Sequence, residues 1–140
     1  MLNNKGQSLV LFIVLLPVLL LFMALVVDLG AAYNLKNDID NSLELVIEYG
    51  LDNYSEDGFD RESINKMLKY NIPSSKNDLV IENDKLIITS NDSVGGVFAR
   101  VLNINIFKVE SKYMGYLDDD KYTIGGIIAV LLFQQVQNSQ

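Results

Sequence analysis

An uninterrupted apolar run lies close to the amino terminus of the chain. Leu9 to Val27 are nineteen consecutive apolar or proline residues, preceded by a short polar segment that contains Lys5. A helix rises 1.5 Å per residue, so the run spans about 28 Å, close to the ~30 Å hydrocarbon core of a bilayer. Secretory signals have a shorter apolar stretch, about 7 to 15 residues, before a small-residue cleavage site. Because the small residues 30–32 follow Asp28 in a continuing helical pattern, we expect a retained membrane anchor.

Pro17 lies in the middle of this run. Proline has no N–H to donate to the carbonyl of Ile13, and its ring crowds that carbonyl, so a bend in the helix is one expectation. Lipid-embedded helices tolerate proline when neighbouring groups satisfy the freed carbonyl, so a proline without functional effect is the other. The sequence leaves both open.

A second hydrophobic pattern follows the apolar run. Apolar positions recur there in steps of three and four, and charged residues fall mostly between them. The pattern predicts one helix from about Ser8 to about Tyr49, half in lipid and half outside, which ends at Gly50 and the segment 54–58. The apolar stripe of the outer half consists of Leu35, Ile39, Leu43, Val46, Ile47, Gly50 and Tyr54.

The next part of the chain predicts a short helix followed by a β-hairpin. Residues 59–71 have Asp60 in the N-cap position and apolar residues on one face, which is typical of a surface helix. Two β-rich runs then flank Asn83 and Asp84, which are residues suited to a tight turn. Together with the long helix, these elements predict the α+β class.

Less regular patterns follow. Residues 92–104 predict a glycine-punctuated excursion with one helical turn around 98–102, and residues 105–117 alternate as a half-exposed strand does. The acidic triplet Asp118–Asp120 lacks the spacing of a calcium loop and predicts a turn between strands. Residues 124–133 are apolar but too short to span a bilayer, so they predict either a buried last strand or a packing helix.

The distribution of charge orients the anchor. All eighteen carboxylates lie at or after Asp28, whereas Lys5 is alone among the eleven basic residues in preceding it. Lys36 is the nearest basic residue on the far side, and acidic residues surround it. By the positive-inside rule the amino terminus is cytoplasmic and the bulk of the chain is extracytoplasmic. The formal −8 of that part would repel phosphate backbones, so we expect no nucleic-acid partner.

The composition also limits the chemistry of the chain. It contains no cysteine and no histidine, which excludes thiol nucleophiles, disulfides and imidazole bases and removes the commonest metal ligands. No glycine-rich phosphate loop or convincing pair of acids appears. We therefore expect neither an enzyme nor a bound cofactor or metal.

Three features follow one another near the amino terminus: Lys5-Gly6-Gln7, then Leu16-Pro17 within the apolar run, then the step from Val27 to Gly30. With these features, residues 5–51 resemble the amino-terminal half of TadE/TadG-type pseudopilins of tight-adherence (Flp, type IVc) pili. That family has a short basic leader ending in glycine, an apolar stretch with an internal leucine-proline, a valine-aspartate-x-glycine step and a long amphipathic helix. A weaker likeness to the family's late strand lies at residues 97–113. The matching positions are Lys5, Gly6, Gln7, Leu16, Pro17, Val27, Asp28, Leu29 and Gly30.

The resemblance implies a pilin-like fold and a processing step. A membrane-embedded prepilin peptidase facing the cytoplasm would cut between Gly6 and Gln7, where a residue without a Cβ allows close approach of the extended backbone. Lys5 would hold this bond at the cytoplasmic face. The freed apolar helix would then pack with other pilin helices. Asp28 and Gly30 would mark the exit from the membrane.

Leu11 departs from the pattern of many type IV pilins and of the TadE branch. Those proteins have a glutamate five residues after the cut, which pairs with the amine of a neighbouring subunit. Leucine requires no such partner. The departure favours a minor, TadG-like subunit over a major polymerising one.

These observations predict four segments: a leader at residues 1–6, a transmembrane helix at 7–28, its amphipathic extension at 29–56 and a small extracytoplasmic α+β domain with an antiparallel sheet at 57–140. The function we expect is that of a minor pseudopilin or assembly component of a Tad-type pilus. Its partners would be the membrane, a prepilin peptidase, other pilins and the Tad assembly platform. The alternative is an unprocessed single-pass envelope module that acts as an adhesin or a sensor.

Overall fold

A single long helix organises the chain. The computed structural model describes residues 4–118 and 121–127, and its first element is α1, Asn4–Asp52, of 49 residues. At 1.5 Å per residue α1 is about 73 Å long. It continues without interruption through Pro17. The prediction of one helix extending from the apolar run into the amphipathic segment is confirmed, with each end a few residues beyond the expected limits.

The expected end of α1 at Gly50 is wrong. Gly50 is buried inside the helix, which extends two residues further. A Cβ on Gly50 would lie 2.7 Å from Leu86 Cδ2 and 3.2 Å from Ile64 Cδ1, so the glycine here permits close packing and does not terminate the helix. Tyr54 lies beyond α1, and its hydroxyl donates a hydrogen bond of 2.8 Å to Asp84 Oδ1.

The second helix, α2, is Arg61–Asn71. Its predicted N-cap is confirmed, because the Asp60 carboxylate accepts hydrogen bonds from the N–H groups of Glu62 and Ser63. At the other end the N–H of Ile72 donates to the carbonyl of Leu68. Ile64 and Leu68 are buried, which places one face of α2 against the core.

Four strands form an antiparallel sheet in which each strand pairs with the next one along the chain. Asn83 and Asp84 connect the first two strands with φ values of 48° and 58°, as a type I′ hairpin turn requires. The predicted hairpin is therefore confirmed, and with it the α+β fold class. The strands are β1, Lys76–Glu82; β2, Lys85–Gly95; β3, Ile106–Asp118; and β4, Lys121–Ile127.

The glycine-punctuated excursion is shorter than expected. Residues 92–95 belong to β2 and pair with residues 106–109 of β3, because the β2–β3 ladder continues beyond Asn91, which pairs with Lys76 at the start of β1. The excursion therefore begins at Gly96. It contains a four-residue 3₁₀ turn, η1, at Ala99–Leu102, close to the helical turn that the sequence predicts.

One apolar core lies between α1, α2 and one face of the sheet. Most residues of the predicted apolar stripe on the outer half of α1 belong to this core, which confirms the amphipathic pattern of that half. Gly115 on β3 lies beneath this stripe, and a Cβ there would collide with Ile47 and lie 3.1 Å from Leu51 Cδ1. The buried core residues are Ile39, Leu43, Val46, Ile47, Leu51, Ile64, Leu68, Ile72, Leu79, Leu86, Ile88 and Val109.

The carboxyl-terminal predictions are covered only in part. Asp118 pairs with Lys121 at the ends of β3 and β4, as a turn between strands requires, while Asp119 and Asp120 lie outside the described residues. Ile124 packs against the core from β4, which favours the last-strand expectation for residues 124–127. Residues 128–133 lie outside the described part of the chain.

Candidate functional site at the membrane exit

The inner half of α1 is uncovered. Residues 6–20 are exposed, and none of the 18-residue apolar window in this helix is buried inside the protein. By length and composition α1 is able to cross a membrane, and it is the one such helix among the described residues. The core helix of a soluble protein would be mostly buried, so this exposure favours a membrane-embedded segment.

Asp28 is buried where the exposed run ends, with 4% of its surface accessible. Its Oδ1 accepts a hydrogen bond from the N–H of Val97 at 3.1 Å, and its Oδ2 accepts from Phe98 at 2.9 Å and from Ala99 at 2.6 Å. Successive N–H groups at the start of a helical turn lack intrahelical acceptors and form a concave site for an anion. Here a side chain of α1 occupies that site.

These three hydrogen bonds, which we call the Asp28 contact, explain how a carboxylate can be buried beside an apolar run. Burial of an unpaired charge is costly, whereas hydrogen bonds to ionised groups are short and strong. The Asp28 contact therefore fixes the segment after β2 to α1 at one height along the helix. Asp28 is the first residue after Val27, so this height is the end of the apolar run.

A small apolar cluster surrounds the Asp28 contact. Ala32, Ala99 and Phe107 are buried in it, and Leu25 and Leu29 of α1 pack against it. Gly96 makes the tight turn possible, since a Cβ there would lie 3.1 Å from the side chains of Ala99 and Phe107 and from the carbonyl oxygen of Ile104. The cluster thus extends from the outer half of α1 to Leu25, inside the apolar run.

Gly30, the other predicted exit residue, has no such role in packing. It is exposed, and a Cβ built on it would meet no atom within 4 Å. The structure therefore brings Asp28, but not Gly30, together with the outer domain. The importance of Gly30 stays a prediction.

The predicted processing site lies at the start of α1. Lys5, Gly6 and Gln7 belong to its first turns, and Gly6 is exposed with open space around its Cα. A peptidase needs an extended backbone, so the first turn would have to unwind. That turn contains no acidic residue to complement the helix dipole, and helix ends unwind readily. Residues 1–3 of the predicted leader lie outside the described part.

Leu11 and Pro17 are exposed on the uncovered half of α1. Neither residue belongs to, or packs against, the two apolar clusters of the described residues. The structure thus presents both side chains to the surroundings of the helix. The bend at Pro17 and the consequence of a leucine at position 11 stay predictions.

A polar contact beyond the exit also joins α1 to the sheet. Lys36 Nζ lies 2.5 Å from Asp40 Oδ2, and the hydroxyl of Ser111 on β3 donates to Asp40 Oδ1. The spacing of Lys36 and Asp40 was a visible signal for their pairing, since residues four apart share a helix face. Nothing in the sequence indicated Ser111 as the third member.

The Asp28 contact was likewise missed. The available signal was an acidic residue directly after nineteen apolar ones in a helix, which needs a partner when it is buried. Its partners are backbone N–H groups, and these carry no residue identity in a sequence. Within the described part of the chain, no group of three or more acidic, histidine or cysteine residues is placed to hold a metal ion.

Comparison with known proteins matches the helix that carries this site. Residues 6–46 match the model of the family described as putative Flp pilus-assembly TadE/G-like. No curated protein and no solved structure matches the chain. The family match covers the apolar run, Asp28, Gly30 and most of the amphipathic extension, and it confirms the resemblance to that family. Residues 6–46 are thus similar to the TadE/TadG-like pilus-assembly family, and they lie in a helix that is by length and composition able to cross a membrane.

Proposed function

We propose that this chain is a minor pseudopilin or assembly component of a Tad-type pilus. It is anchored by α1 with its amino terminus in the cytoplasm, and its α+β domain lies outside. A prepilin peptidase cuts it after Gly6. The observation that carries the proposal is the family match over residues 6–46, on a helix whose apolar window is left unburied.

The uncovered half of α1 supports a double role for one segment. An apolar helix half that no other element of the described residues covers is stable in lipid, and it also presents a surface to similar helices of other subunits. The acyl chains of the bilayer and the packed helices of other subunits are both apolar surroundings. The helix can therefore serve as anchor before assembly and as packing element within it, with other pilins and the Tad assembly platform as partners.

Leu11 supports a minor role over a major one. A glutamate within an apolar helix bundle needs a partner in the neighbouring subunit, which ties its presence to regular polymerisation. A leucine at this position makes no such demand. The role we propose is structural, without catalytic chemistry or a cofactor of its own, in keeping with the lack of histidine and cysteine.

Mass spectrometry of the full chain co-expressed with a prepilin peptidase tests the processing step. We expect the mature protein to begin at Gln7. A Gly6→Val variant should keep the residues up to position 6, because a β-branched side chain would obstruct close approach of the scissile backbone. Gly30→Val is the matched control, since both glycines lie in α1 with no atom within 4 Å of a built Cβ. It should be cut like the parent protein.

An uncut parent protein would contradict processing, provided that the same peptidase cuts a known pilin in the same cells. The alternative of an unprocessed envelope module would then be favoured. A cut that occurs equally in the Gly6→Val variant would contradict the assignment of the bond after Gly6.

Cysteine labelling tests the orientation independently, because the chain has no cysteine of its own. Lys66 is exposed on α2, so a Lys66→Cys variant should react with a membrane-impermeant maleimide on intact cells. Labelling that appears only after the membrane is opened would contradict an extracytoplasmic domain.

A further inference from the structure

A cluster of exposed apolar side chains surrounds η1. We call it the exit patch, and it stands out because the other large apolar residues exposed on the outer part of the chain, such as Tyr33, Leu45 and Tyr70, are scattered. Single exposed apolar residues are ordinary on protein surfaces, whereas a contiguous group marks an interaction site. The exit patch consists of Val97 (69% exposed), Phe98 (48%), Val101 (76%), Leu102 (46%) and Ile106 (47%).

The Asp28 contact fixes the height of the exit patch along α1. Val97 and Phe98 are themselves two of the three residues whose N–H groups bind Asp28. The adjoining cluster of Ala99 and Phe107 packs against Leu25, inside the apolar run. The exit patch therefore lies beside the last turn of the membrane-spanning segment, at the near end of the outer domain.

This height coincides with the edge of the bilayer. The apolar run of about 28 Å nearly fills a hydrocarbon core of ~30 Å, so Val27 lies close to the outer boundary of that core. The polar headgroup region extends roughly 5–7 Å further on each side. Residues fixed to Asp28 must then lie within this region or at its border with the acyl chains.

The composition of the exit patch suits an interface between lipid and water. Aromatic and branched aliphatic side chains enter the boundary between headgroups and acyl chains, while arginine keeps its guanidinium at the level of the phosphates. Arg100 is exposed in the middle of the patch. The patch is continuous with the apolar surface of α1 itself, since Leu25 contributes to the cluster beneath it.

We infer that the exit patch inserts into the outer leaflet of the same bilayer that α1 spans. The outer domain is then held at the membrane by α1 and by a second point of contact, the side chains of residues 97–106. This inference rests on the membrane anchoring in the proposed function, but not on processing or on assembly into a pilus.

Tryptophan reporters can test the inference directly, because the chain contains no tryptophan. Phe98→Trp and Val101→Trp place a reporter in the exit patch, and Leu15→Trp places one in the anchor. Tyr70→Trp is the matched control on α2, which packs at Gly50, about 33 Å along α1 from Asp28. Each full-length variant is reconstituted into phosphatidylcholine and phosphatidylglycerol vesicles. One set contains lipids brominated near the headgroup end of the acyl chains, and a second set contains lipids brominated deeper in the chains.

We expect lipids brominated near the headgroup end to quench the fluorescence of Phe98→Trp and Val101→Trp. The emission of both reporters should lie at shorter wavelength than that of an indole in water. Leu15→Trp should also show emission typical of lipid, and Tyr70→Trp should remain unquenched with the emission of an exposed indole. Quenching of Leu15→Trp in deeper-brominated lipid without any quenching at positions 98 and 101 would overturn the inference and leave the anchor intact.

Two other results would also overturn it. Emission at short wavelength from the patch reporters without lipid quenching would show that a second protein surface covers the patch. Unquenched Leu15→Trp at every bromine depth would show that α1 does not enter the bilayer, and the anchoring in the proposed function would fail with the inference.

Discussion

Asp28 Oδ2 lies 2.6 Å from the backbone nitrogen of Ala99, 71 positions away in the chain. This hydrogen bond and its two neighbours join the end of the apolar run to the start of η1. Residues of the outer half of α1 from Ile39 to Leu51 belong to the main core, and the Asp28 contact joins α1 to the outer domain at a second place, directly after the apolar run.

Replacement of Asp28 by asparagine should loosen the segment after β2. Both carboxylate oxygens of Asp28 accept hydrogen bonds from backbone N–H groups. The asparagine side chain has one oxygen, so its NH₂ must face at least one N–H of residues 97–99. We expect amide hydrogen exchange at these residues to rise by about tenfold or more, the scale of one lost charge-assisted hydrogen bond. Exchange mass spectrometry of the full chain in nanodiscs measures it.

Asp38→Asn is the matched control, because Asp38 is an exposed carboxylate on the same helix. Its exchange at residues 97–99 should equal that of the parent protein. Equal exchange in the parent protein and the Asp28→Asn variant would mean that the three hydrogen bonds do not hold the segment.

A methyl group at Gly115 should destabilise the core. Its Cβ would collide with Ile47 and lie 3.1 Å from Leu51 Cδ1, so α1 or β3 would have to shift. Overpacking of this kind costs about 1–3 kcal/mol in the free energy of unfolding. Urea unfolding of the full chain in detergent, followed by circular dichroism, measures the loss for Gly115→Ala.

Gly95→Ala provides the comparison for that experiment. Gly95 lies on β2 in the same sheet, and a Cβ built there would meet no atom within 4 Å. Its substitution should change the free energy of unfolding by less than about 1 kcal/mol. Similar losses for the two variants would argue against close packing of α1 on β3.

The regular patterns of the sequence predicted the elements that depend on local chemistry. The three- and four-residue period marked the buried face of α1, Asp60 marked the start of α2, and Asn83 with Asp84 marked the hairpin turn. Each of these features follows from side chains within a few positions of one another. Local rules of this kind need no knowledge of tertiary contacts.

The missed features all depend on contacts between distant segments. Gly50 resembled a helix end because glycine is common there, but its packing against Leu86 and Ile64 keeps the helix continuous. Asp28 is predicted at the end of the apolar run from its place in the sequence, but its partners are backbone groups 69 to 71 positions away. A single sequence carries no signal for such a pairing.

The contact of Asp40 with Ser111 should show an asymmetry between its two ends. Ser111 is 1% exposed, and its hydroxyl donates to Asp40, whose side chain is 20% exposed. Asp40→Ala would leave a buried hydroxyl without this acceptor, which costs about 1–3 kcal/mol, whereas Ser111→Ala removes the buried hydroxyl altogether. We therefore expect the larger loss in unfolding free energy for Asp40→Ala.

The double variant distinguishes this explanation from a simple loss of charge. If the buried hydroxyl causes the cost, Ser111→Ala should recover part of the stability that Asp40→Ala loses. Losses that simply add would contradict it. Lys36→Met tests the ion pair between Lys36 and Asp40. Because the two side chains are only 17% and 20% exposed, loss of the ammonium leaves a mostly buried carboxylate and should also lower the free energy of unfolding.

The N-cap of α2 should make stability depend on pH in the acidic range. The Ser63 hydroxyl, which donates to Asp60 Oδ2 at 2.6 Å, and the N–H groups of Ser63 and Glu62 hold the pKa of Asp60 below its ordinary value of 3.8. A carboxyl whose pKa is lower in the folded state stabilises the fold above the unfolded pKa. That contribution is lost as the pH falls through the folded pKa.

Asp60→Asn separates this contribution from other acid effects, because asparagine is also a good N-cap but does not ionise. We expect the two proteins to have similar stability at pH 7, and the parent protein to lose more stability than the variant between about pH 5 and pH 2. Urea unfolding at several pH values measures the difference, and Asp57→Asn controls for the removal of one carboxylate before α2. Parallel curves for the parent protein and Asp60→Asn would contradict a stabilising ionised cap, since the remaining carboxylates titrate in both proteins alike.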